Sequence, residues 1–232
     1  GYPTKLLSAM SHELAIPLTL IFNSFMSIGK MPSAWKEATI TPKFKKGSSS
    51  DPSNYRPISQ TSVFCKLMER IIAAEVTEYL LKNNLLSRHQ HGFLAKRSIL
   101  TNLLESIHDW SLTVNNKQLN TIIYIDFSRA FDTVSRIKLI AKLKSYGISR
   151  DLLSIINDFL SDRRQRTKVD GFLSDEVLLG SGVVQGSCLG PLLYLIYAND
   201  IFNIFDYPVV SKLYADDLKL YSTITTELDN EH

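Results

Sequence analysis

The sequence predicts a mixed α/β (α+β) chain with a central antiparallel sheet, and two observations carry that expectation. The first is the run Ile122-Ile123-Tyr124-Ile125-Asp126-Phe127, an almost unbroken apolar and β-branched stretch that reads as a strand buried on both faces. The second is Tyr214-Ala215-Asp216-Asp217-Leu218. Val209 and Val210 precede its two acids, and Leu218, Leu220 and Tyr221 follow them. That pattern reads as two strands joined by a tight turn that carries the acids. Stretches of helical period fill the sequence between these strands.

Phe64, Leu67, Met68, Ile71, Ile72 and Tyr79 recur at helical intervals and are expected to face a core. Before them, Asp51-Pro52-Ser53-Asn54 follows Gly47 and three serines and reads as a loop. Ile99, Leu103, Ile107, Trp110 and Val114 mark a second helix, again expected to be mostly core. Residues 128–146 read as a turn into a helix, with Ile137, Ile140 and Ala141 at helical spacing and Gly147 as its stop. Leu152, Ile155, Ile156 and Phe159 mark another helix, with Ser149 as N-cap. Residues 166–179 read as a hairpin about Gly171, and 192–201 as an apolar helix.

A chain of 232 residues with 44% hydrophobic composition has ample material for a core, which excludes an intrinsically disordered class. The net charge of +3 permits a nucleic-acid partner without demanding one. Lys36, Lys43, Lys45 and Lys46 form one basic cluster, and Arg163, Arg164, Arg166 and Lys168 another. Both are candidates to meet phosphates. Cys65 and Cys188 lie far apart, which argues for a reduced, intracellular chain without a disulfide framework. Residues 18–28 are apolar but too short, and too interrupted by Asn23 and Ser24, to span a bilayer, so no membrane partner is expected. The histidines and cysteines show no zinc-ligand spacing.

The acids are the informative residues. Adjacent aspartates repel each other unless a cation neutralises them, and hard divalent ions prefer carboxylate oxygens. A charge at the end of a buried strand, as expected for Asp126, is costly unless it emerges at a site with a partner. Asp126, Asp216 and Asp217 converging on one sheet would make a two-metal site suited to phosphoryl or nucleotidyl transfer.

At this point the residues resemble a known family. Trp35-Lys36 through Pro42, Lys45-Lys46-Gly47 and Asn54-Tyr55-Arg56-Pro57-Ile58-Ser59 resemble the fingers motifs of the reverse transcriptases of non-LTR (LINE-type) retrotransposons. Gln90-His91-Gly92-Phe93 resembles the next block, and Asp126-Phe127-Ser128-Arg129-Ala130-Phe131-Asp132 the first palm motif. Gln185-Gly186-Ser187 with Leu189-Gly190-Pro191 resembles the second, and Tyr214-Ala215-Asp216-Asp217 the third. The blocks occur in family order over almost the whole chain.

The resemblance implies a right-hand polymerase fold, with residues 1–95 rich in fingers and 96–232 mainly palm. It implies an RNA-directed DNA polymerase that joins a deoxynucleoside triphosphate (dNTP) to a DNA primer 3′-hydroxyl on an RNA template. Asp126, Asp216 and Asp217 would hold two Mg²⁺ ions, which Mn²⁺ can replace, and the Phe127 carbonyl would add an oxygen ligand. Arg56 with Lys45 or Lys46 would meet the triphosphate, since a guanidinium forks onto phosphate oxygens. Gln185 and Gly186 would line the nascent base-pair pocket. Phe131 would stand under the sugar and leave no room for a ribose 2′-hydroxyl. Asp132 belongs to the same motif, but its reading as a helix-start or surface acid is at least as strong as metal binding.

The sequence departs from the family pattern at Val184, where Pro is usual, and at Ile99, where Thr is usual. There is no initiating Met, and the sequence stops soon after the Asp-Asp motif. It therefore reads as a fragment, with the thumb and endonuclease regions of a parent polyprotein outside it. Two rivals stand beside the polymerase reading: a non-catalytic, nucleic-acid-binding scaffold of the same fold, and an RNA-directed RNA polymerase, against which Phe131 argues.

Overall fold

The computed structural model describes residues 4–224. In chain order its elements are α1 (Thr4–Ala9), α2 (Ser11–Ile28), α3 (Ser33–Lys36), β1 (Glu37–Phe44), β2 (Tyr55–Gln60), α4 (Val63–Lys82) and α5 (Ile99–Asn115). There follow β3 (Leu119–Asp126), α6 (Arg136–Ser145), α7 (Arg150–Leu160), β4 (Arg164–Val169), β5 (Phe172–Leu173) and β6 (Val177–Leu178). The last are α8 (Gly190–Ala198), β7 (Val210–Tyr214) and β8 (Asp217–Ile224). Short 3₁₀ turns at Pro52–Asn54 and Ile201–Ile204 complete the set. The chain divides into two compact units, each made of two stretches of sequence: residues 1–79 with 131–193, and 80–130 with 194–232.

The first unit holds a mixed sheet in the order β2-β1-β4-β5, with β6 also paired to β4. β1 runs antiparallel to β2 and parallel to β4. The turn from β4 to β5 is Asp170-Gly171, both at positive φ (50° and 90°), the two-residue geometry that suits a tight hairpin. Helices α4, α6 and α7 supply the core through Met68, Ile72, Leu139, Leu143, Ile155 and Phe159. Ser149 caps α7 as expected, accepting from Leu152 N at 3.4 Å, and Gly147 ends the α6 segment at φ +80°.

Several faces differ from expectation. On α4 the buried stripe runs through Cys65, Met68, Ile72, Val76 and Leu80, while Ile71 and Tyr79 are exposed. Tyr79 lies at the margin, donating its hydroxyl to Tyr146 O at 3.0 Å. On α6 the buried face is Leu139 and Leu143, and Ile137 is 84% exposed. Periodicity located both helices; it left their rotation open by one position because apolar residues flank each stripe on both sides.

The basic clusters divide in the same way. Lys36 is buried and paired with Asp158 at 2.8 Å, while Asp158 also accepts from Met31 N at 2.8 Å. Arg163 is buried, donating to Phe159 O (2.9 Å) and Trp35 O (3.3 Å). Arg164 and Arg166 pair with Glu176 at 2.9 and 3.5 Å. Lys36 and Arg163 are therefore interior ties rather than phosphate contacts. Lys43, Lys45, Lys46 and Lys168 remain exposed.

The second unit holds an antiparallel sheet in the order β3-β8-β7. One of its clusters packs Leu213, Leu218 and Leu220 against Ile125, Phe127 and Phe202. A different face of the hairpin carries Lys212 and Lys219, directly opposite each other in register and both buried. Helix α5, started by a reciprocal capping box between Ser98 and Thr101, meets these lysines with polar groups. Lys219 Nζ donates to Asn102 Oδ1 (3.0 Å) and Ser106 Oγ (2.8 Å), and Lys212 Nζ lies 2.5 Å from Glu105.

The expectation that α5 buries its apolar positions is thereby overturned at four of the five, while Trp110 is half-buried with its ring edge-on to Tyr221 at 5.7 Å between centroids. Ile99, Leu103, Ile107 and Val114 are exposed, because two buried ammonium groups require hydrogen-bonding partners and only the polar face of α5 supplies them. The strand expected to be buried on both faces is also corrected. Among the described residues β3 pairs with β8 alone, and Ile123 and Tyr124 are 51% and 69% exposed. Its β-branched composition fits a pleated, half-buried surface and does not require burial on both faces. Among the described residues no helix is long and apolar enough to cross a membrane.

Candidate active site

The three acids are assembled by strand register within the second unit. In the β3–β8 pair Asp126 lies directly opposite Asp217, and in the β7–β8 hairpin Tyr214 closes on Asp217. The loop between is therefore Ala215-Asp216, with Asp216 half-buried at the turn and Asp126 and Asp217 exposed beside it. Residues directly opposite in an antiparallel pair have Cα atoms about 4.5–5.5 Å apart. Like charges in such a pair are destabilising.

Asp126 and Asp216 have no cationic side chain within ion-pair distance among the described residues. The negative field is felt by Tyr194, whose hydroxyl is pushed up to about 12, first by burial and then by Asp216 and Asp217. Hard oxygen donors on two adjacent strands, Asp126 and Asp217 directly opposed, are the donor chemistry that a divalent cation prefers. Among the described residues no group of three or more His, Cys, Asp or Glu side chains is placed to hold a metal ion, so register brings the acids near one another without closing a metal site. Phe127 lies one residue beyond Asp126, and its ring packs into the leucine cluster of the hairpin.

The turn is built at some cost. Ala215 has φ +57°, a region ordinarily given to glycine at the first position of a two-residue turn. Its N–H is buried and donates to Gln90 Oε1 at 3.2 Å. The same oxygen accepts from Gly92 N at 2.6 Å. The 89–91 backbone runs beside β7 as an added strand: His91 N donates to Leu213 O (2.8 Å), and Leu213 N to His89 O (3.0 Å). A Cβ on Gly92 would stand 2.2 Å from Ala215 N, so only glycine fits there.

The remaining predicted residues lie in the first unit. Arg56 is exposed on β2, directly opposite Lys43 on β1, and Lys45 and Lys46 lie at the tip of that hairpin. Lys45 N donates to Asn54 O at 2.9 Å, and the loop turns on Asp51, whose carboxylate accepts from Ser53 N at 2.8 Å. That bond holds the Asp51 carboxyl below its ordinary value. Two cations paired across the strands, with two more beyond, form a surface that an anion would relieve.

The Gln185-Gly186 segment is pinned from two sides. Gln185 O accepts from Ser59 N at 2.9 Å, and its Nε2 donates to Asp132 Oδ1 at 3.1 Å. Gly186 has φ +97°, and a Cβ there would lie 2.8 Å from Ser59 O, so its glycine serves close backbone packing. The fully buried Glu69 of α4 accepts from Cys188 N (2.7 Å) and Leu189 N (3.1 Å), just ahead of α8. Phe131 is half-buried, its carbonyl accepting from Val183 N at 2.8 Å. A cavity of about 270 Å³ is lined by Ser59, Asp132, Arg136 and Gln185, among others.

Asp132 thus orients Gln185, a role reached by neither of its two sequence readings. Glu69 was also missed, read only as part of an amphipathic helix. Its one signal was a carboxylate adjoining the apolar stripe Cys65-Met68-Ile72.

Comparison with known proteins agrees with this architecture. A family model described as reverse transcriptase (RNA-dependent DNA polymerase) matches residues 43–232. The chain belongs to that family. It is 30% identical over 221 residues to the probable RNA-directed DNA polymerase from transposon BS of Drosophila melanogaster, a match covering 92% of this chain and 24% of the relative. It is 31% identical over 207 residues to the RNA-directed DNA polymerase from mobile element jockey of the same species, covering 86% and 22%. The chain thus spans about a quarter of the length of these relatives.

Among solved structures, telomerase from Candida tropicalis with a fragment of telomeric RNA superposes with a TM-score of 0.61 at 13% identity, over 94% of this chain and 41% of that one. An apo form truncated from the C-terminal domain gives 0.59 at 13% identity, over 84% and 45%. The fold is the right-hand polymerase fold that the motifs implied.

Proposed function

We propose that this chain is the fingers and most of the palm of an RNA-directed DNA polymerase of a non-LTR retrotransposon, residues 1–95 contributing mostly fingers and 96–232 mainly palm. The observation that carries the reading is the register that sets Asp126 opposite Asp217 with Asp216 on the adjoining turn. Asp126, Asp216 and Asp217, with the Phe127 carbonyl, would hold the divalent ions. Two Mg²⁺ ions, when bound, acidify an attacking primer 3′-hydroxyl and neutralise the pyrophosphate leaving group.

Arg56, with Lys45 or Lys46, binds the triphosphate oxygens. Gln185, oriented by Asp132, and Gly186 border the nascent base pair, and Phe131 excludes the ribose 2′-hydroxyl. Exposed lysines hold the RNA template and DNA primer through phosphates, which makes binding salt-dependent and largely indifferent to sequence. The setting is intracellular, where such templates are found.

Primer extension on an RNA template with Mg²⁺, offering deoxynucleotides or ribonucleotides, tests the reading. The expected result is deoxynucleotide incorporation that Asp216→Asn abolishes. Preferential ribonucleotide incorporation would support an RNA polymerase instead. RNA binding without extension, even after a family thumb is fused to the chain, would support the scaffold.

A further inference from the structure

We infer that Gln90 is a positioning residue for the reaction: it fixes the Ala215-Asp216 turn and thereby the placement of Asp216. The inference rests on the proposed function of that acid. Gln90 is 2% exposed, and one oxygen of its amide accepts from both Gly92 N (2.6 Å) and Ala215 N (3.2 Å). In an ordinary two-residue hairpin the first loop N–H faces water. Here Ala215 is buried, so that N–H requires an internal acceptor. Ala215 is also at φ +57°, a conformation an alanine keeps only where its surroundings enforce it.

Two further ties hold Gln90 itself in place. Its backbone bridges to Leu213 of β7 through the hydrogen bonds of His89 and His91 on either side, and its carbonyl accepts from Arg97 Nη1 at 3.0 Å. Gly92 completes the fit, since any side chain there would strike the Ala215 backbone. The strand ladder fixes where β7 and β8 lie, whereas the loop lies beyond the ladder. Gln90 is the contact that extends this order to the loop bearing Asp216.

The test uses the full chain and Mn²⁺ alone as probe, with binding followed by electron paramagnetic resonance and the Ala215 amide by hydrogen exchange. Gln90→Met removes the acceptor at nearly constant size; Gln90→Glu keeps an acceptor oxygen. Gln90→Met is expected to weaken Mn²⁺ binding about tenfold, the scale seen when a partner that orients a metal ligand is lost, and to speed exchange at Ala215. Gln90→Glu should keep Ala215 protected and bind Mn²⁺ at least as well as the native chain. Unchanged Mn²⁺ affinity in Gln90→Met overturns the inference.

If Gln90→Met loses its cooperative melt, Gly92→Ala replaces it. That variant keeps Gln90 but displaces the turn, and native Mn²⁺ binding there would equally overturn the inference. If the native chain takes up no Mn²⁺, the proposed function fails separately, and Gln90 is judged on Ala215 exchange alone: faster in Gln90→Met supports it, unchanged refutes it.

Discussion

Two hairpins carry most of the candidate chemistry, and they are built on opposite plans. The β7–β8 hairpin ends in a two-residue loop whose backbone is strained, buried and held from outside by Gln90. Beneath it lie leucines in one cluster and hydrogen-bonded lysines in another. The β1–β2 hairpin ends in a ten-residue loop, 45–54, whose polar contacts are internal: Lys45 to Asn54, Asp51 to Ser53, and Asn54 to Ser48 O at 3.0 Å. Its cations are exposed. The contrast matches the two tasks proposed for these hairpins. Carboxylates that hold metal must be placed to within a fraction of an ångström, whereas charges that attract a triphosphate act at longer range and tolerate movement.

That contrast can be broken by kinetics. Removing a carboxylate should act on turnover, and removing a cation on affinity. Asp216→Asn is expected to eliminate kcat outright, the largest effect. Arg56→Ala is expected to raise the KM for deoxynucleotide about tenfold or more while kcat falls less, the loss of a charge-assisted hydrogen bond being worth about 1.5–3 kcal/mol. Equal loss in kcat and kcat/KM for Arg56→Ala would show a contact made only in the transition state, and would erase the distinction between the hairpins.

A smaller effect sharpens the account of how the acidic hairpin is supported. His91 is buried, with Nδ1 2.9 Å from Thr101 Oγ1 and Nε2 3.4 Å from Glu105. Burial outweighs the attraction of Glu105 and holds its pKa below the ordinary 6.5. The unfolded chain therefore takes up this proton first as pH falls. The stability contributed by neutral His91 is complete above about pH 6.5 and declines as the pH drops below that value toward the folded pKa. Urea midpoints measured at pH 7.5 and 5.5 should show this decline, and His91→Gln should reduce it. An unchanged slope in the variant would assign the pH dependence elsewhere, with His89, also held low chiefly by burial, the next residue to replace.

Much of this architecture was legible because its signals are local. The hairpin turn at Asp216, the Gly147 stop, the Ser149 cap and the Asp170-Gly171 turn each depend on a few adjacent residues. What the sequence hid was decided at a distance. The face that α5 buries depends on Lys212 and Lys219, more than a hundred positions away, which make the polar stripe the buried one. β3 looked central because β-branched residues suit a half-buried pleated surface as well as a fully covered one.

The site followed the same rule. Asp126, Asp216 and Asp217 were visible as a motif, and register brought them together. Gln90, Glu69 and Asp132 act by hydrogen-bonding backbone or amide groups far along the chain, and such partners leave little trace in spacing. Val184, where the family pattern has Pro, is buried, with its carbonyl accepting from Ser187 N at 3.2 Å.

If Asp126 and the Asp216-Asp217 turn, ninety residues apart in sequence, bind one set of divalent ions, a cleaving ion placed there will mark both segments. Replacing Mg²⁺ with Fe²⁺ and generating hydroxyl radicals at the bound ion cuts the backbone where the ion sits. The expected result is paired cuts, near residue 126 and near 215–217, both suppressed by excess Mg²⁺ and lost in Asp216→Asn. Cuts at only one of these segments, or at neither, would contradict it.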